Sequence, residues 1–449
     1  MTLILVASGM FMAVLDTTIV NVALPAMRSN LDASVTALAW IVDAYTLSFA
    51  ALILAGGVAA DRFGAKMVFL SGLALFVVAS AGCGIAMTVD TLIVARFVQG
   101  AGAALFLPSS LAIVRNTFDE PSQRARAIAG WAGIASVAAS IGPVIGGILV
   151  DGFGWRSAFL INVPAGVIGL VGTWLVVRDT ASSRARRFDG GGQLASIMLL
   201  GALCFAAIEL PAHGVASPDV LGAALLAMLA LLLLVLIERR TSEPMVPLVW
   251  FRNRVFVAMN MTGGLVYFGY FGLLFMLSLY LHGALGFSAR QTGLTLLPLA
   301  ASLTLGNMLS GRLQGRFHPT HVMATGLGMA AAAVPLMACC LSERLPWIYT
   351  YAAMAAFGAG TASSVAPMIS MVLEQVPADL AGVASGLLNA LRQTGSLLGV
   401  AAASAATVLA PRLSLSLWLV SGMSLAVYAL AAGVSIWAAR RSHAQGASR

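Results

Sequence analysis

The sequence predicts an all-α membrane protein of fourteen spans. Three observations carry that prediction: the apolar content, the length of the apolar runs and the placement of the cations. Of 449 residues, 60% are hydrophobic and 9% charged, where an ordinary soluble domain carries roughly 25% charged residues. A membrane-spanning helix needs about 20 apolar residues, so this content covers roughly a dozen spans. A soluble globular enzyme, a disordered chain and a disulfide scaffold are excluded. The continuous runs also argue against an outer-membrane barrel, whose strands alternate apolar and polar residues.

Taken in order, the spans fall near 3–25, 36–60, 67–88, 91–114, 127–150 and 157–177, then 191–211 and 217–237, then 255–281, 289–311, 321–342, 346–372, 381–410 and 415–438. The first run has no basic n-region and no small-residue cleavage pattern. It continues into Asp16 and Pro25 and is expected to be a retained helix. The seventh and eighth spans are separated by the weakly polar turn Pro211-Ala-His-Gly. Basic residues punctuate the rest. With the N-terminus inside, the inner segments hold Arg62, Lys66, Arg115, Arg124, Arg126, Arg178, Arg184, Arg186, Arg187, Arg239, Arg240, Arg252, Arg254, Arg312, Arg316, Arg440, Arg441 and Arg449, eighteen of the 25 Lys and Arg residues. The outer loops hold five: Arg28, Arg156, Arg290, Arg344 and Arg412. That bias follows the positive-inside rule and places both termini in the cytoplasm.

The formal net charge of +8 is therefore a topology signal, and no soluble basic domain points to nucleic acid. Cys83, Cys204, Cys339 and Cys340 all lie in apolar runs without metal-ligand spacing and are expected to be small core residues. No phosphate loop, Ser/His/Asp arrangement or HExxH pattern occurs, so neither ATP-driven transport by this chain nor membrane hydrolysis is expected. No metal or other cofactor is expected.

The chain also repeats. Gly57-Val-Ala-Ala-Asp-Arg-Phe-Gly64 after the second span recurs as Gly311-Arg-Leu-Gln-Gly-Arg-Phe-His318 after the tenth. The same offset maps span 1 onto span 9 and span 5 onto span 13. The reading is a six-helix bundle over 1–178, two inserted helices with cytoplasmic linkers over 179–254, and a second six-helix bundle with a short tail over 255–449.

Charges within spans are the first functional candidates, because a carboxylate at the bilayer centre costs at least about 2.5–3.5 kcal/mol. Asp16, Asp43 and Arg96 all fall in the outer half of the membrane. If helices 1, 2 and 4 pack together, they form one layer able to hold a proton. Asp16 is the deepest, flanked by Thr17, Thr18 and Asn21. Glu209 is read as interfacial. Arg392 is read either as a cytoplasmic-side anchor or as a partner of Glu374.

Residues 57–66, G-x-x-x-D-R-x-G-x-K, resemble the loop between helices 2 and 3 of the major facilitator superfamily. Helix 4 reads Arg96-Phe-Val-Gln-Gly-Ala-Gly-Ala-Ala104, similar to that family's R-x-x-Q-G-x-G-x-A segment. Gly133 through Gly142-Pro143-Val-Ile-Gly146-Gly147 resembles its antiporter motif. Leu15-Asp-Thr-Thr-Ile-Val-Asn-Val-Ala-Leu-Pro25, Trp40-Ile-Val-Asp-Ala-Tyr45 and Ala381-Gly-Val-Ala-Ser-Gly386 with Arg392-Gln-Thr-Gly395 resemble the fourteen-helix drug:proton antiporters, quaternary-ammonium exporters among them.

The resemblance implies the two-bundle fold with two inserted helices. It implies a proton-coupled efflux antiporter, driven by the proton gradient, that exports lipophilic and cationic drugs or toxic compounds from a bacterial cell across the inner membrane. It assigns Asp16, Asp43 and Arg96 to proton coupling. Gly57, Asp61, Arg62, Gly64, Lys66, Gly142, Pro143, Gly146 and Gly147 become gating residues. Substrate is expected at Asp16, Asp43, Asn21 and Gln99. Two or three of the helix-9 aromatics Tyr267, Phe268, Tyr270, Phe271, Phe275 and Tyr280 should join them, with Tyr267, Tyr270 and Phe271 preferred, since aromatic faces attract organic cations. Asn260 and Asn389 are weaker candidates. Partners are a small molecule, protons and the bilayer, with a monomer as the working unit. Departures exist: no basic leader precedes helix 1, Gly315 replaces the acid in the second loop copy, and few deep acids remain for divalent cations. The alternatives are a dedicated exporter of one metabolite or antibiotic and a proton-coupled importer. A receptor, a scaffold or a channel lacks sequence support.

Overall fold

The computed structural model describes residues 2–117, 120–178, 189–241, 247–377, 380–410 and 412–446. Among the described residues every regular element is helical. The helices are α1 (Thr2–Leu31), α2 (Val35–Phe63), α3 (Ala65–Ile85), α4 (Val89–Thr117), α5 (Pro121–Phe153) and α6 (Ser157–Val176, interrupted at Ile161). Next come α7 (Gly190–His213) and α8 (Pro218–Arg240). A 3-10 turn, Leu248–Arg252, leads into α9 (Arg254–Gly283), α10 (Ala289–Leu313), α11 (Pro319–Ser342) and α12 (Trp347–Leu373). The last two are α13 (Ala381–Leu409) and α14 (Leu413–Gly446).

By length and composition, 13 helices among the described residues can cross a membrane. The expected span at 381–410 is present as α13, a helix of 29 residues, but it does not meet the same apolar criterion. Asn389, Arg392, Gln393, Thr394 and Ser396 lower its apolar content. α1 runs past its expected end, through Pro25 to Leu31. The linker cations Arg184, Arg186 and Arg187 and the terminal Arg449 lie outside the described residues.

The chain forms two compact units. Unit 1 is 1–245 with 287–294, and unit 2 is 246–286 with 295–449. In unit 1, α4 packs on α2 and α3, α1 on α5, and α6 on α1 and α3. In unit 2, α12 packs on α10 and α11, α9 on α13, and α14 on α9 and α11. Each pairing in one unit has its counterpart eight helices later in the other, the internal repeat read from the loop motif. α7 and α8 pack together, and α7 lies on α2 within unit 1. α8 presents Leu221, Leu225, Leu229, Leu232 and Leu236 outward, an apolar face suited to lipid.

Close helix contact depends on missing Cβ atoms. A Cβ at Gly56 would strike the Ala104 carbonyl, and one at Gly100 would strike the Tyr45 carbonyl. These two glycines bring α2 and α4 near enough for a side chain of one to reach the backbone of the other. Between α2 and α3, Gly64 adopts φ +90°, which side-chain-bearing residues rarely do. Free thiols are found at all four cysteines, three of them buried and Cys339 half-buried. No group of three or more metal-binding side chains occurs among the described residues.

Candidate functional site

The glycine contact at Gly100 places Arg96, one turn earlier on α4, inside unit 1. Arg96 is 1% exposed and Asp16 of α1 is fully buried. Nη1 of Arg96 donates to the Asp16 carboxylate at 2.5 Å and to Oε1 of Gln99 at 2.7 Å. Its Nε donates to the Ile41 carbonyl of α2 at 3.1 Å. The guanidinium also lies 4.5 Å from the Tyr45 ring centre and 5.7 Å from that of Phe159. Gln99, three residues on and therefore on the same helix face, donates from Nε2 to Asp16 at 2.9 Å and to Ser80 at 3.2 Å. Asn162 of α6 donates to Asp16 at 3.1 Å and to Ser80 at 3.1 Å. Ser80 of α3 donates to the Phe159 carbonyl at 2.9 Å.

The Asp16 carboxylate thus accepts from three side chains on two other helices. Desolvating such a pair is costly, and full hydrogen bonding is what offsets that cost. Arg96 keeps alternatives within reach: Ile41, Gln99 and two aromatic faces. Loss of negative charge on Asp16 would leave the cation held, but differently. The network ties α1 to α2, α3, α4 and α6.

Asp43 is fully buried but outside this network. Neither of its carboxylate oxygens has a hydrogen-bond partner among the described residues. Nearby, Trp40 donates to Glu209 at 2.7 Å, and Gln193 donates to the Ala51 carbonyl at 2.5 Å. Glu209, expected at the interface, anchors α7 to α2 and also meets His213 at 3.2 Å. Asn21 is buried and donates to the Thr17 carbonyl. Thr17 and Thr18 bond carbonyls of their own helix.

Of the residues expected to gate, Asp61 and Arg62 are exposed at the end of α2. Lys66 is half-buried, and Gly57 faces open space. Gly142 and Gly146 press on Thr18 and Ile19 of α1, beside Pro143. A Cβ at Gly147 would stand 2.6 Å from the Ala289 carbonyl, so α5 passes close to the start of α10 there. Asp151 then caps the start of α10, accepting from Ser288 Oγ at 2.6 Å and from the backbone amides of Ala289 and Arg290 at 3.0 and 3.1 Å.

In unit 2, Tyr267, Tyr270 and Phe271 form one partly accessible cluster. Tyr267 and Tyr270 lie 5.6 and 5.1 Å from Phe271, and Tyr270 stacks on Phe357 at 6.1 Å. Phe275 and Tyr280 are core residues, and Phe268 is half-buried. Arg392 of α13 lies over the Tyr267 ring at 4.2 Å. Glu374 is exposed, and no ion pair joins it to Arg392 among the described residues.

Sequence reasoning missed Ser80, Asn162 and Asp151. Ser80 gives no signal in an apolar helix. Asn162 does: an amide in an otherwise apolar run, which α6 buries to 1% exposure.

Comparison with known proteins gives the same picture. The chain is 41% identical over 397 residues to a methylenomycin A resistance protein of Streptomyces coelicolor, covering 88% of this chain and 83% of that one. It is 36% identical over 401 residues to the multidrug resistance protein Stp of Mycobacterium tuberculosis, covering 89% and 74%. Among solved structures, the POT family transporter PepTSo superposes with a TM-score of 0.72 at 16% identity over 98% of both chains. The inward-open xylose transporter XylE of E. coli gives 0.66 at 13%, over 96% of this chain and 94% of that one. Those two likenesses concern the fold. The profile of the family matches residues 6–400, and with the repeated six-helix packing and the buried charge network it makes this chain a member of the Major Facilitator Superfamily, a multi-pass membrane transporter of small molecules and not an enzyme.

Proposed function

We propose that this protein is a proton-coupled efflux antiporter of the bacterial inner membrane, exporting lipophilic drugs or antibiotics, cations among them. The observation that carries the reading is the Asp16–Arg96 pair, 2.5 Å apart and closed off from solvent. A buried, hydrogen-bonded pair that ties its helices to their neighbours is a place where one proton alters several helix contacts at once. In the cycle, Asp16 takes a proton from outside, and Arg96 falls back on Ile41 and Gln99. The transporter then alternates access to its substrate site. Release of the proton inside restores the pair. A proton entering at 100 mV supplies about 2.3 kcal/mol before any pH gradient. Asp43, without a partner, serves as a second proton position or as the counter-charge for a cation.

The relatives that confer resistance to drugs support efflux over import. In this reading fourteen helices cross the membrane, α13 included, both termini are cytoplasmic, and the monomer is the working unit. The glycines of α5 and the loop 57–66 serve the conformational switch. Two of the similar proteins are named for resistance to a single antibiotic, methylenomycin A. A narrow substrate range is therefore the second reading.

The test is transport in reconstituted vesicles under an imposed pH gradient, with ethidium, a quaternary ammonium compound and neutral antibiotics. Accumulation that follows the gradient and collapses with a protonophore is the expected result. Transport indifferent to the gradient would overturn the coupling. Transport of one compound alone would select the narrow reading.

A further inference from the structure

We propose that Arg392 and Tyr267 form a recognition site for the carboxylate of an acidic, aromatic substrate. The inference rests on the efflux reading and extends it to substrate class. Arg392 lies eleven residues into α13, roughly 17 Å along the helix at 1.5 Å per residue, so it sits deep in a helix of the transmembrane bundle. Its stem crosses α9 at Gly263, where an added Cβ would stand 3.1 Å from Arg392 Cγ, 3.0 Å from Leu388 and 3.1 Å from Met368. Its charged end rests on the Tyr267 face at 4.2 Å. Among the described residues no other charge compensates it. The Nε atom is sealed from solvent with no hydrogen-bond partner, and no carboxylate pairs with the group among the described residues.

A guanidinium in this position contrasts with Arg96, whose Nε and Nη1 are both engaged. The side chain as a whole is nonetheless partly accessible, as are Tyr267, Tyr270 and Phe271. It therefore keeps some accessible surface while one of its donors stays unsatisfied. On the same face of α9, two turns before Tyr267, Asn260 is 2% exposed and its Oδ1 also lacks a partner. An unpaired guanidinium fork matches a planar carboxylate in geometry and charge. The adjoining rings supply surface for an aromatic body, and Asn260 offers an acceptor for a hydroxyl or amine on the same molecule. Cationic substrates have no reason to approach Arg392, so the acid and the cation would use different residues of the transporter.

The charge of such a substrate has an electrical consequence. An anion leaving and a proton entering carry current in the same sense, so the membrane potential alone drives the exchange. A monovalent cation exchanged for one proton moves no net charge.

The test uses purified full-length protein with nalidixic acid, its neutral ethyl ester and ethidium as probes. Binding is read by ligand-induced thermal stabilisation, and transport by proteoliposomes with an imposed potential. Wild type should bind the acid about tenfold more tightly than the ester, the worth of a hydrogen bond to a charged group. Arg392→Gln should erase that preference and leave ethidium binding unchanged. Arg392→Lys, which keeps the charge but loses the planar fork, should fall between them and guards against a folding defect in the first variant. Equal binding of acid and ester by wild type would overturn the site. So would an equal loss of all three probes in Arg392→Gln, which would mark a structural arginine. Arg392-dependent binding of the acid without gradient-driven transport of any probe would support the site and refute efflux.

Discussion

Units 1 and 2 share one packing scheme and differ in how they treat buried charge. In unit 1 the arginine between helices is saturated: Asp16, Gln99, Ile41 and two rings surround Arg96. In unit 2 the arginine has a ring and little else. The polar work on that side falls to Tyr428, whose hydroxyl meets Thr361 at 2.8 Å and the Val266 carbonyl at 3.3 Å. A repeated fold thus holds two kinds of site. One is closed on itself and is the proposed proton site. The other is partly accessible and is the proposed ligand site. Duplication fixes where helices pack, whereas the few polar side chains at equivalent depths decide what each half does.

This contrast can be broken at several points, in decreasing order of effect. Arg96→Gln leaves Asp16 as an uncompensated buried carboxylate, and removing one partner of a buried pair costs about 3–5 kcal/mol. Its thermal stability in detergent should fall sharply, and a variant as stable as wild type would mean the pair is not structural. Gly100→Val drives a side chain into the Tyr45 carbonyl, an overpacking cost of about 1–3 kcal/mol or more. Together with lower stability it should show lost transport, because Arg96 can no longer reach Ile41.

Asp43→Leu should act in the opposite direction. Deleting a buried polar group that has no partner gains about 1–3 kcal/mol, so this variant should melt higher than wild type while transporting cations less well. A lower melting temperature would show that Asp43 has a bonded role. The smallest change is Tyr428→Phe in unit 2. It removes one hydroxyl with two contacts, worth about 1 kcal/mol, and should leave proton coupling intact in transport assays. Loss of coupling there would place proton chemistry in both halves.

Much of this was legible in the sequence because the membrane simplifies the problem. A carboxylate or guanidinium inside an apolar run stands out, and so Asp16 and Arg96 were visible together with Gln99 in its motif. The repeat was visible because its loop carries Gly, Arg and Phe at fixed spacing. Residues whose role depends on a partner across helices were not. Ser80 could equally have bonded its own helix, as Thr17 and Thr18 do. Asp43 lies three residues from Trp40 and four before Leu47, and nothing in that spacing says that its carboxylate stays outside the Asp16 network. Glu209 was read as interfacial, and nothing in its own surroundings in the sequence named Trp40 as its partner. Among the aromatics of α9, Tyr267, Tyr270 and Phe271 were already preferred, but the burial of the others was not legible. Helical rotation then sent Phe275 and Tyr280 into the core and left Tyr267, Tyr270 and Phe271 in reach.

The measurement that tests the central claim most directly is a comparison of two transport modes in Asp16→Asn. Substitution by the isosteric amide leaves Gln99, Asn162 and Arg96 a side chain of the same shape but removes the titratable proton. Uphill transport driven by an imposed pH gradient should vanish, while gradient-free exchange of labelled for unlabelled substrate continues. Uphill transport at the wild-type rate in Asp16→Asn would contradict the account and place the coupling proton elsewhere.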